Sequence, residues 1–97
     1  MQCSCSKKWL SFFKAVHDKN RQMILDVIQS HGSINANGIV AKIHLSQPTI
    51  SHHLKILEEA SVINAKKTGK EMIYSINGKA IDECCGGFSR RFVKKSK

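Results

Sequence analysis

Three groups of side chains in this 97-residue chain have the types and spacings that support chemistry. Cys3 and Cys5 stand near one end and the vicinal Cys84 and Cys85 near the other, as two close pairs of thiols. As thiolates they suit soft ions such as trivalent arsenic (as arsenite), cadmium, copper(I) or zinc, and nearby lysines lower thiol pKa values. The same thiols can switch by reversible disulfide formation or serve only in packing. A second group, Gln47, Thr49, Ser51, His52 and Lys55, lies in one short stretch. Gln can pair bidentately with an adenine edge, Thr and Ser hydroxyls reach base edges or phosphates, and a Thr methyl can touch thymine. The third group is Lys66, Lys67 and Lys70 around Gly69, a cationic turn able to lie along a phosphate backbone or enter a minor groove. Taken singly, each group also reads as a solvated surface, since lysines commonly decorate exposed strand edges.

The elements that hold these residues follow from periodicity. Trp9, Leu10, Phe12, Phe13 and Val16 mark a first helix over about Lys7 to His17. Asp18 is placed to cap a second helix, Arg21 to Ser30, which His31-Gly32 ends. Asn35 is placed to cap a short third helix with Ile39, Val40 and Ile43 inward; His44-Leu45-Ser46 turns the chain. Ser46 then caps a fourth helix running to about Glu59, with Pro48 acceptable in its first turn. On that helix Ile50, Leu54 and Leu57 share one side. At about 100° per residue, Pro48, Ser51, His52 and Lys55 point away from it, with Gln47 and Thr49 flanking the outer face. His53 falls on the flank of the buried side, where packing or hydrogen bonding is expected. The period then changes to alternation: Val62 to Lys67 and Glu71 to Ile76 read as two strands around Thr68-Gly69-Lys70. Asn77-Gly78 turns into a last helix starting near Lys79, which Gly86-Gly87 weakens or ends.

The expected fold is therefore mainly α with a small β-hairpin, a winged helix-turn-helix, in one domain over residues 1–97. Residues 1–6 are expected as an N-terminal arm and residues 89–97 as a flexible basic tail. A chain this short has a thin core, and dimerisation is a common remedy. Its 16 Lys and Arg against 7 Asp and Glu, a formal charge of +9, suit a polyanion, nucleic acid first and acidic membrane second. The polar start, Met1 to Lys8, carries no secretion signal, and no apolar run approaches a membrane span, so a cytoplasmic location is expected. Two such helices across a tight turn, followed by a basic hairpin, point to double-stranded DNA. The second helix would enter the major groove, and a homodimer would read an inverted repeat.

Leu45 to Leu57, read as Leu-Ser-Gln-Pro-Thr-Ile-Ser-His-His-Leu-Lys-Ile-Leu, resembles the recognition segment of the ArsR/SmtB family of bacterial and archaeal repressors. Phe13 to Arg21 and Gly69 to Ile76 extend the likeness to about Leu10–Asn77. The resemblance implies a homodimer joined through its first and last helices, repressing an operon until a ligand binds. It also implies a comparison of sensors. Many members carry Glu-Leu-Cys-Val-Cys-Asp-Leu in the first helix of the helix-turn-helix, whereas here Asn35 and Asn37 stand at the two cysteine positions. The His-and-carboxylate zinc site of other members is not matched, since Cys84 stands where a His is expected beside Asp82. Some members sense arsenite through cysteines on the last helix, so Cys3, Cys5, Cys84 and Cys85 are the candidate ligands for an arsenite, cadmium or zinc inducer. No cofactor is required otherwise. Adjacent cysteines on a helix point about 100° apart, which argues that one of Cys84 and Cys85 packs in the core. Two other readings stand beside this one: a constitutive or redox-sensing DNA-binding module without a metal, and a small thiol enzyme. The second lacks a Cys-x-x-Cys motif and an evident acid–base partner, so no catalysis is expected.

Overall fold

The computed structural model describes the backbone of residues 5–92 and the side chains of residues 10–84 and 86. Its elements run α1 (Cys5–Val16), α2 (Lys19–His31), β1 (Ser33–Asn35), α3 (Ala36–Lys42), α4 (Gln47–Glu59), β2 (Ile63–Thr68), β3 (Glu71–Ile76) and α5 (Gly78–Phe92). This is the winged helix-turn-helix arrangement, with α3 and α4 as the helix pair and β2–β3 as the wing.

Helix starts are set by side chains that accept from otherwise unbonded first-turn amides. Asp18 accepts from Arg21 N at 3.0 Å, Asn35 from Gly38 N at 2.7 Å and Ser46 from Thr49 N at 3.3 Å. Asn77 does the same for α5, taking Ala80 N at 3.2 Å. Helix α2 stops at Gly32, whose φ of 80° lies in the left-handed region that glycine tolerates.

One core joins all five helices. Phe12 and Ala15 from α1, Ile24 and Ile28 from α2, Ile39 from α3, Ile50, Leu54 and Leu57 from α4, and Cys84 from α5 are buried together with Val62 and Ile63. Against it lies an antiparallel sheet in the order β1-β3-β2. Thr68 pairs with Glu71 at the end of the hairpin, leaving Gly69 and Lys70 as its tip. Gly69, at φ 64°, occupies the first central position, where a two-residue hairpin turn favours glycine.

The structure departs from the periodicity in two places. Strand β1 does not show in three residues of sequence; it exists because Ser33, Ile34 and Asn35 find Ser75, Tyr74 and Ile73 of β3 as partners. Helix α5 starts at Gly78 and continues through Gly86-Gly87 to Phe92, so residues 89–92 belong to a helix rather than to a tail. Glycine raises the entropic cost of a helix by about 1 kcal/mol against alanine but does not forbid its dihedrals. Burial of Ala80 and Cys84 seats the first half of α5 on the core. At the other end α1 already includes residues 5 and 6, expected as part of an arm. Residues 1–4 and 93–97 lie outside the described residues.

Candidate nucleic-acid interface

Helix α4 is oriented by what it buries. Ile50 and Leu57 are wholly buried and Leu54 is 2% exposed. A helix cannot turn this side inward without turning the opposite side out. Gln47, Pro48, Thr49, Ser51, His52 and Lys55 are accordingly all exposed. They form one polar surface that begins at the start of the helix, where no acidic residue occupies the first turn. The positive end of the helix dipole therefore faces solvent beside these groups. The cap also conditions one of them: Ser46 Oγ donates to Thr49 Oγ1 at 2.8 Å, so Thr49 keeps its own hydroxyl hydrogen for another acceptor.

The wing follows from α4 by a short connection that is closely held. Ser61 takes a left-handed φ of 64°. Asn77 ties this bend down, donating through Nδ2 to Ser61 O at 3.0 Å and through its amide to Val62 O at 3.0 Å. Lys66, Lys67 and Lys70 are exposed on the hairpin. Next to its tip, at the first residue of β3, Asn35 Nδ2 donates to Glu71 Oε1 at 3.0 Å while Asn35 Oδ1 caps α3. A single amide thus joins the start of the helix-turn-helix to the wing. Gly38 makes room for this joint, since a Cβ there would lie 2.7 Å from Ile34 Cγ1.

His53 sits where the sequence places it, beside the buried side of α4 at 9% exposure. Its partner is Arg21 of α2, whose Nη1 lies 3.2 Å from His53 Nδ1. Arg has only donors, so the ring accepts at Nδ1 and is neutral in this contact. Burial lowers the His53 pKa below its ordinary value of 6.5; the Asp18 carboxylate opposes this, and Arg21 and His52 add to it. Asp18 is itself held below 3.8, first by its bond from the Arg21 amide. Sequence reasoning missed Arg21. The one available signal was its spacing of three residues from the Asp18 cap.

Of the four cysteines, only Cys84 has its side chain among the described residues. Cys84 is 1% exposed, within the core, as expected for one of the vicinal pair. Cys3 lies outside the described residues, and the side chains of Cys5 and Cys85 lie outside the described side chains. Among the described residues no cluster of three or more His, Cys, Asp or Glu is placed to hold a metal. No described helix is long and apolar enough to cross a membrane.

Comparisons with known proteins agree with this geometry. Residues 18–65, which span the N-cap of α2 to the start of the wing, match the family described as bacterial regulatory protein, arsR family. The chain is 42% identical over 65 residues to the transcriptional repressor SdpR of Bacillus subtilis, covering 67% of this chain and 71% of that protein. It is 32% identical over 76 residues to the arsenical resistance operon repressor of Staphylococcus xylosus, covering 78% of this chain and 72% of the repressor. Among solved structures, an ArsR-like transcriptional regulator from Rhodococcus sp. RHA1 superposes with a TM-score of 0.84 over 92% of this chain and 83% of its own. At 21% identity that likeness concerns the fold.

The His53 environment predicts an acid sensitivity. The native ring holds fewer protons than the unfolded one, so stability is complete above pH 6.5 and falls as the pH drops below it, through the lowered native value. Asp18 contributes in the same direction only below pH 3.8. Urea unfolding of His53→Gln between about pH 5 and 7 is expected to show a flatter dependence than the wild type. Equal slopes would remove His53 from the account.

Proposed function

Since the chain belongs to the arsR family of bacterial regulatory proteins and is a DNA-binding transcriptional regulator, we propose that it is a homodimeric repressor reading an inverted-repeat operator. In this reading α4 enters the major groove, with the two copies about one helical turn of DNA apart. Gln47, Thr49, Ser51 and His52 contact base edges and Lys55 a phosphate. Lys66, Lys67 and Lys70 of the wing hold the flanking backbone. The observation that carries it is the outward polar face of α4, exposed from its first turn and followed by a cationic hairpin. The dimer is supported by α1, where exposed Leu10 and half-buried Phe13 and Val16 line a shallow apolar depression. Two copies covering that surface would shield what one copy leaves wet.

Release by a thiol-binding metal or metalloid extends the reading. Support comes from the cysteine content and from the relative that represses an arsenical resistance operon. Cys84 is buried on α5, so a ligand that took its thiolate would have to draw α5 from the core. Such a ligand would favour a different state of the protein, which is what a releasing effector must do. The same burial favours a second reading, a constitutive DNA-binding module in which Cys84 only packs and no metal binds; its redox-sensing form gains nothing from that burial, since oxidation needs an accessible thiolate.

Two measurements test the DNA contacts common to both readings, and a third separates the two. Lys70→Ala should flatten the dependence of log affinity on log salt by about one, the share of a single phosphate; an unchanged slope takes the wing out of the interface. Gln47→Ala should shift sequence preference at about 1–3 kcal/mol while leaving non-specific affinity intact. Native mass spectrometry of the reduced protein should give a dimer that retains arsenite, cadmium or zinc, and the variant with serine at Cys3, Cys5, Cys84 and Cys85 should lose it. A wild type that retains none of them leaves the second reading.

A further inference from the structure

We infer that Arg21 is a positioning residue for DNA reading: by joining the end of α1 to His53, it sets the angle at which α4 is presented. The inference rests on the reading above, in which α1 lies at the dimer contact and α4 in the groove.

The Arg21 guanidinium meets three elements at once. Its Nε donates to Ala15 O and its Nη2 approaches Lys14 O at 3.5 Å, both near the C-terminal end of α1. Nη2 also lies 3.9 Å from Asp18 Oδ2 at the cap of α2, and Nη1 meets His53 Nδ1 of α4 at 3.2 Å. The side chain is only 13% exposed. A planar fork with N–H groups spread over three nitrogens can serve these acceptors together; a lysine ammonium, with its three N–H groups on one nitrogen, cannot. The apolar stripe of α4 is non-directional and permits small rotations about the helix axis. A directional bond on its flank removes that freedom. The flank in question adjoins the reading face, since His52 follows the outer surface and its ring centroid lies 6.1 Å from that of His53. The groups facing the His53 ring are Asp18 and Arg21 from α2 and its capping turn, and His52 from its own helix. Protonating the ring would set a donor against the guanidinium and break the bond.

A structural role alone would lower stability and leave discrimination among DNA sequences untouched. The test is therefore the ratio of affinities for two probes: a duplex enriched by the wild-type chain from a random-sequence pool, and the unselected pool itself. Both are measured at one salt concentration and a temperature at which every variant is folded. Arg21→Lys and His53→Leu should each reduce the ratio roughly tenfold, about the effect of one mismatched base pair. Affinity for the unselected pool should hold, since the exposed lysines remain. His53→Gln, which keeps a neutral acceptor, should restore most of the ratio. The Arg21→Lys/His53→Leu pair should be no worse than the worse single change if both act through one bond. An unchanged ratio in Arg21→Lys overturns this inference alone. A wild type that enriches no sequence overturns the proposed function and the inference with it.

Discussion

Helix α4 can bury only one of its sides, and most of what the molecule does follows from which one. Ile50, Leu54 and Leu57 form the side that enters the core, where α1, α2, α3 and α5 also converge. The hydrophobic drive to remove those three side chains from water fixes the rotation of the helix to within the tolerance of its packing. Ser51, His52 and Lys55, on the opposite side, have no choice but to face outward. An exposed polar surface is obtained here without any special device, as the complement of a core.

What the hydrophobic stripe leaves loose is tightened by directional bonds. Ser46 fixes where α4 begins, so the first exposed side chains occur at a set point on the helix. Asn77 holds the bend from α4 into β2, and Asn35 ties the start of β3, next to the tip of the wing, to the start of α3. Arg21 holds the flank of α4 through His53. Each of these bonds contributes little net stability, on the order of 1 kcal/mol. Their value lies in direction: they convert a packed but adaptable helix into one that presents the same atoms in the same places.

The sequence was readable wherever the signal was local or strongly periodic. The caps at Asp18, Asn35 and Ser46, the outer face of α4 and the glycine-tipped hairpin all arise from near neighbours in the chain, and the structure has them as expected. The resemblance of Leu45–Leu57 to the ArsR/SmtB recognition segment is matched by the arsR-family assignment of residues 18–65. What escaped depends on distant partners. Strand β1 is made by β3, some forty residues on in sequence, and three residues carry no period of their own. The persistence of α5 through Gly86-Gly87 overrode glycine's preference, as packing commonly does. Arg21 looks like any basic residue in a first turn until the fold brings His53 to it. Asn35 was legible as a cap but not as a tether for Glu71, because the second bond crosses from α3 to the wing.

The central claim is that the exposed side of α4 and the tip of the wing form the surface that meets duplex DNA. Amide chemical-shift mapping of the isotope-labelled protein, titrated with a DNA duplex that it selects, tests this most directly. The largest perturbations are expected along Gln47–Lys55 and at Lys66–Lys70, with α1 and the buried residues of α2 little changed. Perturbations concentrated on any other surface, with α4 and the hairpin silent, would contradict it.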